Sequence, residues 1–568
     1  MQPCLDAINA IQETPFAINT PILEMVRWAW DRGLEIGKLP RREPVDDVVF
    51  LENYDDLQPR EKAYWRRQQL KVRERNRGII SSNVQVRADV DAAMDLSGYA
   101  AFWLPHNMDF RGRVYPIPKF NHQREDYVKA TIHFAEGKPL GATGADWLAV
   151  HLANCGDFNK ISKEPLQDRI SWVYENLSKI VSVAMEPKED LWWTEADKPF
   201  QFLAACIEFA GYVQEGESYV SRIPIALDGS NSGLQHYSAA LRAEQDGAYV
   251  NLRASEKPAD IYREVAERVI ARITKEAQDE SFEDREMAKL WLDYGITRKT
   301  VKRNVMTFPY SSAVYGFREQ LKTDLMDPLS AEVIEGKLDS HPFGDDDGWR
   351  ASGFLAKRVW DAVNETVTKA SEGMSFLKKC AQLLAHEGRP MTWTTPVGFP
   401  VIHKYNEWNT WTVKLFIYDA NIPISEAKSD FKIDNEGGVL RRIMANLRTD
   451  EKPTLNKHKQ RNAIAPNVIH SMDAAHLLLA VNAAYKEGIH SFFMIHDSFA
   501  THAADTEEFF VIIRQTFCDL YTNFDLFQTI HDLVSVQLSD EGREDLPPPP
   551  AKGNLDLTEV VRSEFSFC

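Results

Sequence analysis

Two aspartates in this 568-residue chain stand where a carboxylate can do chemistry. The first ends an apolar run, Ile223-Pro224-Ile225-Ala226-Leu227-Asp228, and is followed at once by Gly229-Ser230-Asn231-Ser232-Gly233. A strand that buries its apolar residues would deliver Asp228 at its exposed end, and Gly229 would let a backbone carbonyl approach a ligand. The same segment also reads as a turn aspartate capping the following helix. The second lies in Phe492-Phe493-Met494-Ile495-His496-Asp497-Ser498-Phe499, where an apolar strand is interrupted by His-Asp-Ser and resumes. That pattern suits a hairpin with Asp497 at its tip, although His-Asp at a turn is commonplace. Two carboxylates brought together repel, and a divalent cation relieves the repulsion. Two magnesium ions about 3.5–4 Å apart could lower the pKa of an attacking hydroxyl and stabilise a leaving pyrophosphate.

A third segment runs Arg298-Lys299-Thr300-Val301-Lys302-Arg303-Asn304-Val305-Met306-Thr307-Phe308-Pro309-Tyr310-Ser311. Arg298, Lys302, Met306 and Tyr310 recur every four residues, so a helix would align them in one slowly winding stripe. Its cationic end could neutralise a triphosphate, and its Met and Tyr could stack on a base. A plain basic surface helix fits the same residues. Pro309 removes a helix hydrogen bond to Val305 and should end or kink the helix.

The elements that must position these groups form an α+β pattern. Residues 14–95 read as a mostly helical arm, with a long charged stretch after Pro59. Residues 96–135 shorten into the Pro/Gly-punctuated segment Arg111-Gly112-Arg113-Val114-Tyr115-Pro116. Residues 136–215 return to helices around Trp147, Trp172, Trp192 and Trp193, and residues 251–390 are again helical, broken by a loop at Pro342-Phe343-Gly344. Strands reappear over 392–440, followed by a helix from about 472 and a strand pair near 491–503. Pro547 to Pro550 make a stiff linker before a short amphipathic end.

Taken in order, Asp228-Gly229-Ser230, Lys302…Tyr310 and His496-Asp497-Ser498 resemble motifs A, B and C of the single-subunit RNA polymerases of T-odd phages and mitochondria. The resemblance runs from about residue 8 to the last residue. It includes Asp109-Phe110-Arg111-Gly112-Arg113-Val114-Tyr115, Thr395-Pro396-Val397-Gly398-Phe399-Pro400, Ala465-Pro466-Asn467-Val468-Ile469-His470-Ser471 and Pro550-Ala551-Lys552-Gly553-Asn554-Leu555. It implies a right-hand fold of thumb, palm and fingers with a small antiparallel palm sheet. The corresponding division is a thumb-like arm over 1–95, palm over 96–135, a palm insertion over 136–215 and motif-A palm over 216–250. Fingers would follow over 251–470, motif-C palm over 471–525 and a C-terminal foot over 526–568.

By resemblance Asp228 and Asp497 hold two magnesium ions with the carbonyl of Gly229, and Lys302 binds the triphosphate beside Arg298. Met306 would face the nucleotide, Tyr310 would close on sugar and base, and His470, just before the expected helix cap Ser471, would hydrogen-bond the ribose hydroxyl. Lys160 would lie near the nucleotide, Arg113 and Tyr115 near the template or hybrid. Phe565, Phe567 and Cys568 resemble the family's foot, which packs near the active centre. Family members usually carry glycine where this chain has Ser311, which bears on how Tyr310 moves. The chain begins where the family's thumb begins. A separate polypeptide supplying promoter functions, an incomplete chain and a different mode of initiation are all compatible with that. The strands and loop between about Ile402 and Lys459 occupy the place of the promoter-specificity hairpin and equally suit a variable surface loop.

The implied activity is DNA-templated RNA synthesis from ribonucleoside triphosphates, with DNA and nascent RNA as partners. Two other readings compete. A repair-type DNA polymerase shares the palm and the Lys…Tyr helix but usually has glutamate where this chain has Ser498. An inactive nucleic-acid-binding descendant would not need the four motif residues intact. The formal net charge of −18 is awkward for gripping nucleic acid, yet binding depends on local positive surface. Basic residues do cluster, in Arg60, Lys62, Arg66, Arg67, Lys71, Arg73, Arg75 and Arg77 with Tyr64 and Trp65, in Arg298 to Arg318, and in Arg441 to Arg461; Asp345-Asp346-Asp347 concentrates acid elsewhere. Six scattered cysteines without a Cys-x-x-Cys pair argue against structural zinc or a disulfide framework. No run of about 18 apolar residues predicts a spanning helix. The lack of a leader-like N-terminus points to a bacterial host cytoplasm if the gene is a phage's.

Overall fold

A computed structural model describes residues 1–45, 56, 58–334, 337–418, 431–433 and 439–568. Helices dominate, and every strand pairing among the described residues is antiparallel, in five two-stranded ribbons and one three-stranded sheet. The expected α+β pattern is what forms.

The core is organised on one 30-residue helix, Lys457–Lys486. The Asn456 side chain starts it by accepting the Lys459 N–H at 2.9 Å, and Gly488, in the left-handed region at φ 92°, follows its end. Helices Gln2–Gln12, Ser232–Ala240, Thr368–His386 and Thr506–Asn523 pack around it. Its apolar stretch is long enough to cross a bilayer by composition, but 83% of that stretch is buried inside the protein, so it is a core helix. Leu477, Leu478 and Val481 are fully enclosed, each worth about 1.5–3 kcal/mol. The helix was expected to begin near 472 behind a Ser471 cap. Instead Ser471 lies mid-helix, donating to the Val468 carbonyl at 2.7 Å and accepting the Trp393 indole N–H at 2.9 Å. The division expected at 470/471 therefore falls inside this helix.

The expected helical arm is the 38-residue helix Pro59–Leu96, about 57 Å long at 1.5 Å per residue. Val86, Val90 and Ala93 anchor its C-terminal end, where the buried carboxylate of Asp89 accepts from Arg124 at 2.8 Å and the Tyr127 hydroxyl at 2.7 Å. Further out, Lys71 pairs with Asp347 at 2.9 Å, so the acidic run is not apart from the basic arm but touches it. The side chains of Arg60, Tyr64, Arg66 and Arg67 lie outside the described residues, as does that of Arg441. Strands Asn406–Tyr418 and Val439–Leu455 form a long ribbon with Trp411 opposite Leu447; the expected specificity loop, 419–430 and 434–438, lies outside the described residues.

Candidate active site

Strands Pro224–Asp228 and Ser498–His502 pair so that Asp228 faces Ser498 and Leu227 faces Phe499. Ile225, Leu227, Phe499 and Ala500 are buried, which leaves the polar ends of both segments at one edge of the ribbon. The tight turn before Ser498 is closed by Ile495 N–H to Ser498 O at 2.9 Å and Ser498 N–H to Ile495 O at 2.8 Å. His496 takes a left-handed φ of 53° within it. Asp497 thus sits at the expected hairpin tip, and the Gly229 N–H donates to its carbonyl at 3.2 Å, tying the two motifs together. Asp228 does not cap the next helix. Asn231 does, with its Oδ1 accepting the Leu234 N–H at 3.3 Å.

The C-terminus clamps this corner from the other side. Cys568 N–H donates to the Asp228 carbonyl at 3.0 Å, Ser230 N–H to the Ser566 carbonyl at 3.2 Å, and the Ser230 hydroxyl to the Phe565 carbonyl at 2.9 Å. Phe567 is buried against Phe499, Phe517 and His476, with ring centroids 5.9, 5.5 and 5.4 Å away.

Beside the carboxylates opens a cavity of about 460 Å³. Asp228, Gly229, Asp497, Arg298, Lys302, Met306 and Lys160 all line it, which brings seven of the sequence-selected residues together. Helix Arg298–Thr307 presents the cationic wall and starts with a Thr297–Thr300 capping box. It ends at Thr307, as Pro309 requires, and passes into the 3-10 turn Phe308–Tyr310, with Ser311 left-handed at φ 66°. The stripe therefore holds for Arg298, Lys302 and Met306, while Tyr310 leaves it and does not line the cavity. Arg298 donates to the Asp260 carboxylate and lies over the Tyr262 ring at 4.9 Å. Lys160 donates to Asp157 at 2.6 Å. Burial first, and then Arg298, push the Lys302 ammonium below its ordinary pKa.

A second cluster adjoins it. The Tyr310 ring meets the His470 ring at 4.6 Å, and a Cβ on Gly233 would lie 2.8 Å from Pro309 and 3.0 Å from the Tyr310 ring, so only glycine leaves this place for the tyrosine. Arg113 forms a two-pronged ion pair with the buried Asp473, and Tyr115 meets His496 edge-on at 4.9 Å. Arg111 reaches His470 Nδ1 at 2.7 Å. A guanidinium only donates, so Nδ1 accepts and Nε2 carries the proton. Burial, then Arg113 and Arg111, push the His470 pKa down to about 2, which keeps the ring neutral.

The sequence matches the DNA-dependent RNA polymerase family over residues 138–546. This chain belongs to that family. It is 34% identical to T7 RNA polymerase of Escherichia phage T7 over 604 aligned residues, covering 99% of this chain and 64% of that relative. The mitochondrial DNA-directed RNA polymerase 1 of Arabidopsis thaliana is 32% identical over 575 residues, covering all of this chain and 54% of the relative. The chain thus spans between about half and two thirds of the length of the curated relatives it matches. Family membership and the small antiparallel ribbons among long helices agree on the right-hand polymerase fold.

For this polymerase-family site the donor set can be tested against magnesium. Burial first, then Asp473 and Asp228, push the Asp497 carboxyl up to about 6, a sign of excess negative charge at the corner. Among the described residues no group of three or more His, Cys, Asp or Glu forms a closed metal cage. Two carboxylates and a glycine carbonyl suit an ion that keeps waters and takes further oxygens from a substrate. The Gly229 carbonyl accepts the Asn231 N–H at 3.0 Å and retains one lone pair. Sequence reasoning missed Asp473, Gly233 and the role of Arg111. Asp473 was within reach, being three residues after His470 and hence on the same helical face.

Proposed function

We propose that this chain carries out DNA-templated RNA synthesis, joining ribonucleoside monophosphates to an RNA 3′ end with release of pyrophosphate. The observation that carries the reading is the convergence of Asp228, Asp497 and Lys302, far apart in sequence, on one cavity. When bound, two magnesium ions held by Asp228, Asp497 and the Gly229 carbonyl would activate the 3′-hydroxyl and neutralise the leaving group. Lys302 meets the triphosphate from the opposite wall, with Arg298 and Lys160 beside it and Met306 toward the base. Positioning accounts for most of such a reaction, and the rigid ribbon and clamped C-terminus supply it. Base pairing with a DNA template gives the fidelity.

Sugar choice falls to His470 and Tyr310. The Nε2–H of His470, fixed by Arg111, is a donor for a ribose hydroxyl. Arg113, held by Asp473, orients this cluster next to the template and hybrid rather than offering that edge to a phosphate, and Tyr115 completes its surface. The assignment extends to a phage-type enzyme acting in a bacterial cytoplasm, with a separate polypeptide as one candidate source of promoter functions.

The test is extension of an RNA primer in a preformed DNA bubble with ribo- or deoxynucleotides. Ribonucleotides should be strongly preferred, and His470→Ala should lower that preference about fivefold, the value of one hydrogen bond of about 1 kcal/mol. Equal use of deoxynucleotides by the unaltered chain would point to a DNA polymerase instead.

A further inference from the structure

The cavity carries more cations than the motifs account for, and they differ in whether their charge is already met. Six line it: Lys160, Lys163, Arg169, Lys198, Arg298 and Lys302. Arg169 is fully buried and donates inward, to the Glu164 carbonyl at 2.9 Å, Asn154 Oδ1 at 3.0 Å and the Cys568 sulfur at 3.6 Å. Arg298 is paired with Asp260, and Lys160 with Asp157. The ammonium groups of Lys163, Lys198 and Lys302 have no ion pair or hydrogen bond among the described residues.

Two of these three, Lys163 and Lys198, belong to none of the motifs. Both are held at fixed backbone positions. Lys163 ends the 3-10 turn Phe158–Lys163. Lys198 precedes helix Pro199–Glu215, and its N–H donates to the Cys155 carbonyl at 3.0 Å, pinning it to the end of helix Gly141–Gly156. The free cations thus come from three separate elements around the two carboxylates. Arg298 acts on both Lys163 and Lys302, and after burial it is the first charge lowering the proton affinity of each. Burial is the largest influence on Lys198 and lowers its proton affinity, but Asp228, Cys155, Asp197 and Asp126 together outweigh it, which places this ammonium within the field of the carboxylate corner. Five aspartates line the cavity as well, but none of them forms an ion pair with these three ammonium groups, which leaves all three able to meet a polyanion.

We propose that Lys163 and Lys198 join Lys302, Arg298 and Lys160 in the polyphosphate-binding set of this chain. The proposal rests on the nucleotide-polymerising reading of the same cavity and deepens it. The ligand is the triphosphate of the incoming nucleotide, or the pyrophosphate that leaves.

The test is calorimetric titration of inorganic tripolyphosphate into the full chain in magnesium buffer, without nucleic acid. Lys163→Met and Lys198→Met should each raise Kd about tenfold, the loss of one charge-assisted contact. Lys198→Arg should restore binding, and Lys289→Met, whose ammonium pairs with Glu286 at 2.6 Å and does not line the cavity, should change Kd less than about twofold. Thermal melts identify any variant that fails to fold, and Lys163→Gln and Lys198→Gln then take its place. Unchanged Kd in the Lys163 and Lys198 variants, an equal loss in Lys289→Met, or no binding by the unaltered chain would each overturn the proposal. The titration needs no turnover, so a chain that binds tripolyphosphate yet extends no primer refutes polymerisation and leaves the anion set intact.

Discussion

The Asp497 carboxyl is pushed up to about 6 by burial and by the charges of Asp473 and Asp228, against an ordinary value of 3.8. The folded chain therefore holds this proton more tightly than the unfolded one. The stability so gained is complete below about 4 and is lost as pH rises to about 6. Asp497→Asn should melt higher than the unaltered chain, with the gap opening between those pH values and flat above, on the order of 3 kcal/mol. Magnesium should stabilise the unaltered chain near neutral pH and have little effect on the variant. Melts across pH 4–8 with and without magnesium check both statements; a gap that is independent of pH would remove the repulsion from the account. Asp228 and Asp497 could be picked out in the sequence because each interrupts an apolar strand. Of the partners of the second cluster, only Asp473 was within reach, through its spacing from His470. What these partners act on was not legible: Asp473 pairs with Arg113 and Gly233 makes room for Pro309 and Tyr310, all more than 70 positions away.

At the scale of elements, the join between helix Arg298–Thr307 and Ser311 decides where Tyr310 goes. Ser311 is left-handed, a conformation that costs a side-chain-bearing residue about 1 kcal/mol or more. Ser311→Gly should therefore raise stability by up to about 1 kcal/mol and leave the path of Tyr310 unchanged. Gly233→Ala should do the reverse, costing about 1–3 kcal/mol by forcing Pro309 and Tyr310 aside and lowering the ribonucleotide preference. Denaturant melts and the ribo-to-deoxy extension ratio measure these effects. The early end of this helix was legible, since proline declares it. The start of Lys457–Lys486 was not. That helix is buried on most of its faces, so it lacks the one-sided apolar period that marks an amphipathic helix, and Ser471 then looked like a cap.

At the scale of the molecule, the site exists only because distant segments meet: residues 228–231, 298–306, 495–498 and the last four of the chain. Deleting Phe567 and Cys568 removes the hydrogen bond to the Asp228 carbonyl and an aromatic plug among Phe499, Phe517 and His476. Primer extension by that truncated chain should fall at least about a hundredfold, since a misplacement of about 1 Å at a positioned centre costs that much. Retained activity would show that the tail is a surface feature only. The overall charge of −18 coexists with a centre lined by six cations and five aspartates, so net charge says little about the local surface. Long-range closure of this kind was visible in the sequence only through resemblance of the motifs, since the tail's contacts run largely through backbone atoms that carry no residue signature.

The central claim is that Asp228 and Asp497 form the catalytic corner of an RNA-synthesising enzyme. Its most direct test is RNA primer extension in a preformed DNA bubble with magnesium and ribonucleotides, comparing the unaltered chain with Asp497→Ala. The unaltered chain should extend the primer, and the variant should lose that extension by at least about a thousandfold, as expected when a metal-holding carboxylate is removed. Comparable extension by both chains would contradict the account, as would a folded, tripolyphosphate-binding chain that extends no primer at all.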